Sequence, residues 1–136
     1  MIGRLETVVL DCVDPRAAAQ FYAAVLGLEI VREDGGWIDL GPPGAGPDRR
    51  VLSFQHAPDH VPPTWPDPTV PQQFHLDIEV ADIERAQEQV LALGARRLPW
   101  EEPGFRVYAD PAGHPFCLTY ATAPDDAADA VTPSEH

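Results

Sequence analysis

Two segments, TVVLDCVDPRAAAQFYAAVLGLEI (7–30) and HLDIEVADIERAQEQVLALGARRL (75–98), follow one plan: an alternating strand, an aspartate, a helix, then Leu-Gly and a second apolar stretch. Asp14 and Asp82 stand where a helix N-cap is wanted, each offering a carboxylate to the free N–H groups of the first turn. Pro15, with φ preset for the first helical position, strengthens the first start. Beyond Asp14, residues Ala18, Phe21, Tyr22, Val25 and Leu26 recur at helical spacing and make one apolar stripe; Ile83, Ala86, Val90 and Leu91 do the same beyond Asp82. Gly27 and Gly94 suit the left-handed residue that closes a helix. In the strands ahead of the helices, Val8, Leu10 and Cys12 share a face, as do Leu76, Ile78 and Val80, and each row is apolar enough to lie under its own helix. Thr7, Val9 and Asp11, and likewise His75, Asp77 and Glu79, fall on the opposite face. That face is too polar for dry core, so it meets solvent or lines a cavity.

Each helix leads into more strands. GWIDLG (36–41) and RRVLSFQ (49–55) flank the turn-rich PPGAGPD, and GFRVYAD and PFCLTY flank the turn at Asp110-Pro111-Ala112-Gly113. In the last strand Phe116 and Leu118 share one face, Cys117 and Thr119 the other. The chain therefore reads as α+β, a single domain over 1–121 made of two repeated modules, 1–56 and 74–121. The stretch between them carries six prolines within residues 56–73 and reads, over 57–73, as an extended linker or a flap. Residues 122–136, small and acidic, are expected to form a disordered tail.

Bulk composition narrows the function. With 44% hydrophobic and 23% charged residues the chain has the make-up of a soluble globular protein, and its 16 Pro and 10 Gly imply short elements between firm turns. A net charge of −13 repels phosphate backbones and anionic lipid, so neither a nucleic acid nor a membrane is expected as partner, and neutral or cationic ligands are favoured. Two cysteines cannot build a disulfide framework, and the opening MIGRLETVVLDC reaches charge too early for a secretory signal. A cytoplasmic location is expected.

The tandem repeat, with a histidine seven residues before the second capping aspartate, Leu-Gly after each helix and DPAGHPFCL at the last strand, resembles the vicinal oxygen chelate superfamily. That superfamily includes glyoxalase I, extradiol dioxygenases, fosfomycin-resistance enzymes and bleomycin-binding proteins. The chain looks most like its glyoxalase-like domain branch, in which Cys often follows the DPxG turn. The likeness runs from Leu5 to about Ala121. It implies two tandem βαβββ modules, each curling its sheet into half of a barrel-like cleft. It also implies that metal enzymes of the superfamily draw their ligands from the first and last strand of each module. Carried over, the first-strand positions are Thr7 and His75; the last-strand positions are Ser53 or Gln55, and Cys117, where such enzymes have Glu. Thr7 is a weak ligand, and the iron triad of two histidines and a carboxylate is absent. No metal and no other cofactor is therefore expected, with a divalent cation (zinc, nickel, manganese or iron) as the alternative and a mixed His–Cys–Gln zinc site as its form.

Two functions follow from this reading. The first is a small-molecule-binding protein that holds a small organic, preferably aromatic, ligand in the cleft. Thr7, Ser53, Gln55, His75 and Cys117 would face that ligand, and Trp37, Trp100 and Tyr108 would supply aromatic walls. The second is a lyase or isomerase of the same superfamily, metal-dependent or using His75 as acid or base with Asp77 tuning it. The plainer readings stay open: His75 as a cavity histidine bonded to Asp77, Cys117 as a small buried hydrophobe, and a cleft without ligand in an interaction module. A Trp between prolines, Trp65, closes over a pocket or packs in an interface, and a homodimer is expected.

Overall fold

Each helix starts on its aspartate. In the computed structural model, which describes residues 1–122, the Asp14 carboxylate accepts from Ala17 N at 3.1 Å and that of Asp82 from Arg85 N at 3.2 Å. The first helix ends on Gly27 at φ +67°, and Gly94 at φ +106° follows the second. Most of the expected tail, from residue 123 on, lies outside the described residues.

The chain divides into two units, Met1–Pro62 and Pro63–His136. The first contains β1 (Val8–Cys12), α1 (Pro15–Leu26), β2 (Glu29–Asp34), β3 (Trp37–Gly41) and β4 (Leu52–His56). Its sheet has the order β1-β4-β3-β2, with β1 parallel to β4 and the other neighbours antiparallel. The second unit repeats this with β5 (Leu76–Glu79), α2 (Ile83–Ala92), β6 (Arg96–Glu102), β7 (Phe105–Ala109) and β8 (Pro115–Thr119), in the order β5-β8-β7-β6. Again the first strand runs parallel to the last and the rest are antiparallel. The fold is α+β, in two tandem βαβββ modules. Two parallel strands need a crossover between them, and the amphipathic helix is part of it. Pro99, which cannot donate to a ladder, sits in the edge strand β6 where its pairing with β7 shifts register.

The two helices are held differently. Under α1 lie Leu10, Cys12, Ile38, Leu40, Leu52 and Phe54, all buried, and the helix adds Ala18, Ala19, Phe21 and Tyr22. Tyr22 stacks on Phe54 with ring centroids 5.8 Å apart and meets Phe21 edge-on at 4.9 Å. Helix α2 buries Val90 fully, and Leu91, expected in its stripe, stays exposed. Polar clasps from the sheet stand in for apolar contact. Arg106 donates to Glu84 and, at 3.1 Å, to Gln87 Oε1, which also accepts from the Tyr108 hydroxyl at 2.7 Å.

The face of the first sheet turned away from α1 encloses a carboxylate. Asp39 lies between Ile38 and Leu40 in β3, so alternation turns it to the other side, and none of it is exposed to solvent. Its Oδ1 accepts from Trp37 Nε1 at 2.7 Å and from Ser53 Oγ at 2.5 Å; its Oδ2 accepts from Arg50 at 3.1 Å. Arg50 also pairs with Glu6 at 2.9 Å. Thr7 Oγ1 stands 2.8 Å from Ser53 Oγ. A serine has one proton, here given to Asp39, so Thr7 is the donor in that contact. Burial alone would push the Asp39 carboxyl up, but hydrogen bonds from Ser53, Trp37 and Arg50, with the Arg50 charge, outweigh it and hold the carboxyl below its usual range.

A carboxyl lowered in the folded state stabilises fully above its unfolded value and loses that contribution as pH falls through the folded one. Asp39→Ala should therefore cost roughly 3 kcal/mol in urea denaturation at pH 7, by leaving Arg50 without its buried partner. The variant should also lose less further stability than the parent between about pH 5 and pH 3; an equal acid loss in both would refute the assignment. Asp82→Ala should cost about 1 kcal/mol and speed amide exchange in the first turn of α2.

Candidate functional site

In the second unit, alternation and register gather three kinds of donor. Parallel pairing sets Asp77 of β5 beside Cys117 of β8, and antiparallel pairing sets Val107 of β7 on the other flank of Cys117. His75, two residues before Asp77, shares its side. His75 Nε2 lies 3.1 Å from Asp77 Oδ1, and one ligand atom from each of His75, Asp77 and Cys117 lies within 4.8 Å of the other two. Next to them the same face turns apolar: Leu98, Phe105, Val107, Ala109 and Cys117 form a buried cluster, and Trp65 from the Pro-rich segment packs against it. Trp65 also meets Trp100 edge-on, with centroids 5.7 Å apart.

Between these groups is a cavity of ≈ 20 Å³, lined by Trp65, Gln72, His75, Phe105, Val107, Pro115 and Cys117. That is room for a water molecule and too little for an organic ligand while Trp65 stays in place. Gln72 is among the lining residues, and its Oε1 atom is buried without a hydrogen-bond partner. An acceptor so placed costs about 1–3 kcal/mol unless something donates to it, so the site calls for a donor. Burial pushes the Cys117 thiol up to about 12, and the charge and hydrogen bond of Asp77 push the same way. At neutral pH the sulfur is a protonated thiol, not a nucleophile.

The other expected ligand-facing residues are distributed as follows. Thr7, Trp37 and Ser53 belong to the Asp39 network of the first unit. Gln55 lies at the exposed end of β4, on the same side as Ser53. Trp100 is half-exposed beside Trp65. Tyr108 is turned to the α2 side of its sheet: its register partner is Phe116, on which it stacks at 5.6 Å, whereas Cys117 pairs with Val107. His114 bonds Asp110 Oδ2 through Nδ1 at 2.8 Å and braces the turn before β8.

The registers also relate the two faces position by position. Val9, Asp39 and Ser53 are neighbours in the first sheet as Asp77, Val107 and Cys117 are in the second. In the first unit the carboxylate takes the third-strand position and is ringed by donors. In the second it takes the first-strand position, with imidazole and thiol beside it and the apolar Val107 at the third-strand position. Ser53 is thus engaged with a carboxylate of its own sheet and Thr7 with Ser53, while His75 and Cys117 come together with Asp77. Imidazole nitrogen, carboxylate oxygen and thiolate sulfur are all zinc-class donors, so this set fits a divalent cation. Sequence reading had Asp77 as a partner for His75 and missed Gln72, whose place in a proline-rich run carries no pattern.

No helix among the described residues is long and apolar enough to cross a membrane, and no curated protein matches the chain. Solved structures do. A glyoxalase-related enzyme from Fulvimarina pelagi is 20% identical, with 88% of this chain and 89% of that one covered and a TM-score of 0.62. The genomically encoded fosfomycin resistance protein of Listeria monocytogenes is 15% identical over 93% of this chain and 98% of its own, with a TM-score of 0.65. An antibiotic binding protein from a Streptomyces species is 20% identical over 89% and 98%, with a TM-score of 0.53. At such identities the likeness is one of fold. The family model described as glyoxalase-like domain matches residues 7–119, most of the chain and both modules, and by that match the chain belongs to the glyoxalase-like domain family.

Proposed function

We propose that the chain binds a small organic molecule against the apolar face of its second unit, with the Trp65 segment as the flap over it. The observation that carries this reading is the packing of Trp65, from a proline-rich segment, onto the cluster that includes Phe105, Val107 and Cys117, beside a cavity that His75 and Gln72 also line. An aromatic floor and wall with a few convergent polar groups is the usual make-up of a small-molecule site. A ligand that lifts Trp65 gains its place on the floor, stacking on Trp65 or Trp100, and a donor for Gln72 Oε1. Net charge favours a neutral or cationic compound. Stacking, shape and hydrogen bonding need no cation, so chelator should leave the binding intact. The antibiotic binding protein among the structural relatives agrees with this reading by analogy of fold.

A second reading, a lyase or isomerase working on a small oxygenated substrate, has its own observation in the 3.1 Å contact of His75 Nε2 with Asp77. A carboxylate so placed orients an imidazole for proton transfer. Deuterium exchange into hydroxyacetone, followed by NMR, separates the two: acceleration over buffer that His75→Ala removes favours the enzyme, and its absence favours the binder.

For the binding reading, a panel of planar compounds, neutral and cationic, is screened by tryptophan fluorescence and thermal shift. Hits should change the Trp65 signal, and Trp65→Phe should remove most of that change while calorimetry still registers binding. Val107→Trp, which fills the hollow from its floor, should weaken hits at least tenfold while the variant keeps its circular dichroism. A panel that leaves tryptophan emission untouched, or hits that bind Val107→Trp as tightly, would sink the proposal.

A further inference from the structure

The geometry points to a divalent-cation site inside the second unit alone, built by His75, Asp77 and Cys117, with Gln72 Oε1 accepting from a water on the ion. The site goes beyond the binding of an organic molecule and does not rest on it. Of the positions that the superfamily's metal enzymes use, the site keeps two, and it adds a carboxylate that is not one of them. Asp77 is adjacent to Cys117 in the parallel register and two residues from His75, so all three donors come from two neighbouring strands.

The distances are close to what a small ion asks. Donors on a tetrahedral zinc stand about 3.3–3.7 Å apart, given bonds of about 2.0–2.3 Å. Here the donor atoms lie within 4.8 Å of one another, with His75 to Asp77 already at 3.1 Å, so side-chain rotation closes the set without moving a strand. Three protein ligands leave one position for water, and the cavity of ≈ 20 Å³ beside them holds one. Gln72, whose Oε1 is buried without a hydrogen-bond partner, is one of the residues lining that same space. It is the kind of outer acceptor that orients a metal-bound water. An imidazole with a thiolate selects zinc or cobalt over magnesium or calcium, which want oxygen alone.

The step balances as an exchange of ions. Cys117 gives up its S–H proton to solvent as the metal–sulfur bond forms, His75 and Asp77 bind through a ring nitrogen and a carboxylate oxygen, and nothing is oxidised or reduced.

The test uses cobalt(II) and zinc on the whole chain freed of metal by chelator, with no organic ligand present. Expected are one cobalt per chain and a thiolate-to-cobalt band in the near ultraviolet. About one proton should be released per ion, read by calorimetry in two buffers of different ionisation enthalpy, and zinc should displace the cobalt. Cys117→Ser should abolish the band, Asp77→Asn and His75→Gln should each weaken cobalt at least tenfold, and Cys12→Ser should leave it unchanged. Asp77, half-exposed, is the substitution least able to harm folding, and a thermal melt of each variant checks the others. Failure of wild-type protein to bind at 100-fold excess cobalt over chain would overturn the assignment. So would a site that survives Asp77→Asn and His75→Gln, since the ion would then sit elsewhere. An organic ligand that binds in chelator while cobalt does not would leave the binding proposal standing and remove this one.

Discussion

In each unit the first strand lies parallel beside the last, and a helix covers one face of the pair. Alternation along paired strands then commits every side chain: Leu76, Ile78, Phe116 and Leu118 go to the helix, and Asp77 and Cys117 go to the other side as neighbours. A slip of one residue in this pairing would send the thiol into the core and set Leu118 beside the carboxylate. In the second unit the cap on Asp82 and the braced turn at Asp110 hold the segments that follow β5 and precede β8, as the Asp14 cap and the left-handed closure at Gly27 hold the helix of the first. The site depends on the pairing more than on any single contact within it.

One lattice of positions carries two solutions to the problem of a carboxylate on a covered face. Asp39 is wholly buried, so each oxygen must find protein donors, and Trp37, Ser53 and Arg50 provide them. The result is closed and adds stability. Asp77 is nearly half-exposed, so water meets part of its need and its neighbours need not all be donors. Beside it are an imidazole and a thiol, and the apolar Val107 lies on the far flank of that thiol. Chemistry is possible where satisfaction is incomplete.

The repeat, the helix starts and the α+β class were legible because each rests on local rules: an aspartate before an apolar stripe, a glycine after it, strict alternation in the strands. Cys12 and Cys117 were assigned to opposite faces by the same alternation, and the structure agrees. What failed to show was governed by register between distant strands. Tyr108 lies one residue from Val107, and without the register of β7 on β8 nothing says which of them meets the thiol. Asp39 reads as an ordinary polar residue until Ser53, Trp37 and Arg50 are brought to it. The stripe on α2 overstated its burial because Arg106 and Tyr108 hold that helix by hydrogen bonds, which no hydrophobic period records.

As the flap of the binding proposal, the Trp65 segment would move without unfolding. Its hydrogen bonds are largely its own: Thr64 N donates to Val70 O at 2.8 Å, Val70 N returns to Thr64 Oγ1 at 2.8 Å, and Asp67 accepts from Thr69 N at 2.9 Å. Prolines on both sides of the tryptophan limit the chain's freedom in either position, so little entropy is gained or lost on lifting. What lifting gives up is the apolar contact of one half-buried side chain with the cluster beneath, about 2 kcal/mol. At that cost the lifted form would make up a few per cent of molecules. The clasps on α2 lie on the other face of the sheet, so lifting the flap would break none of them.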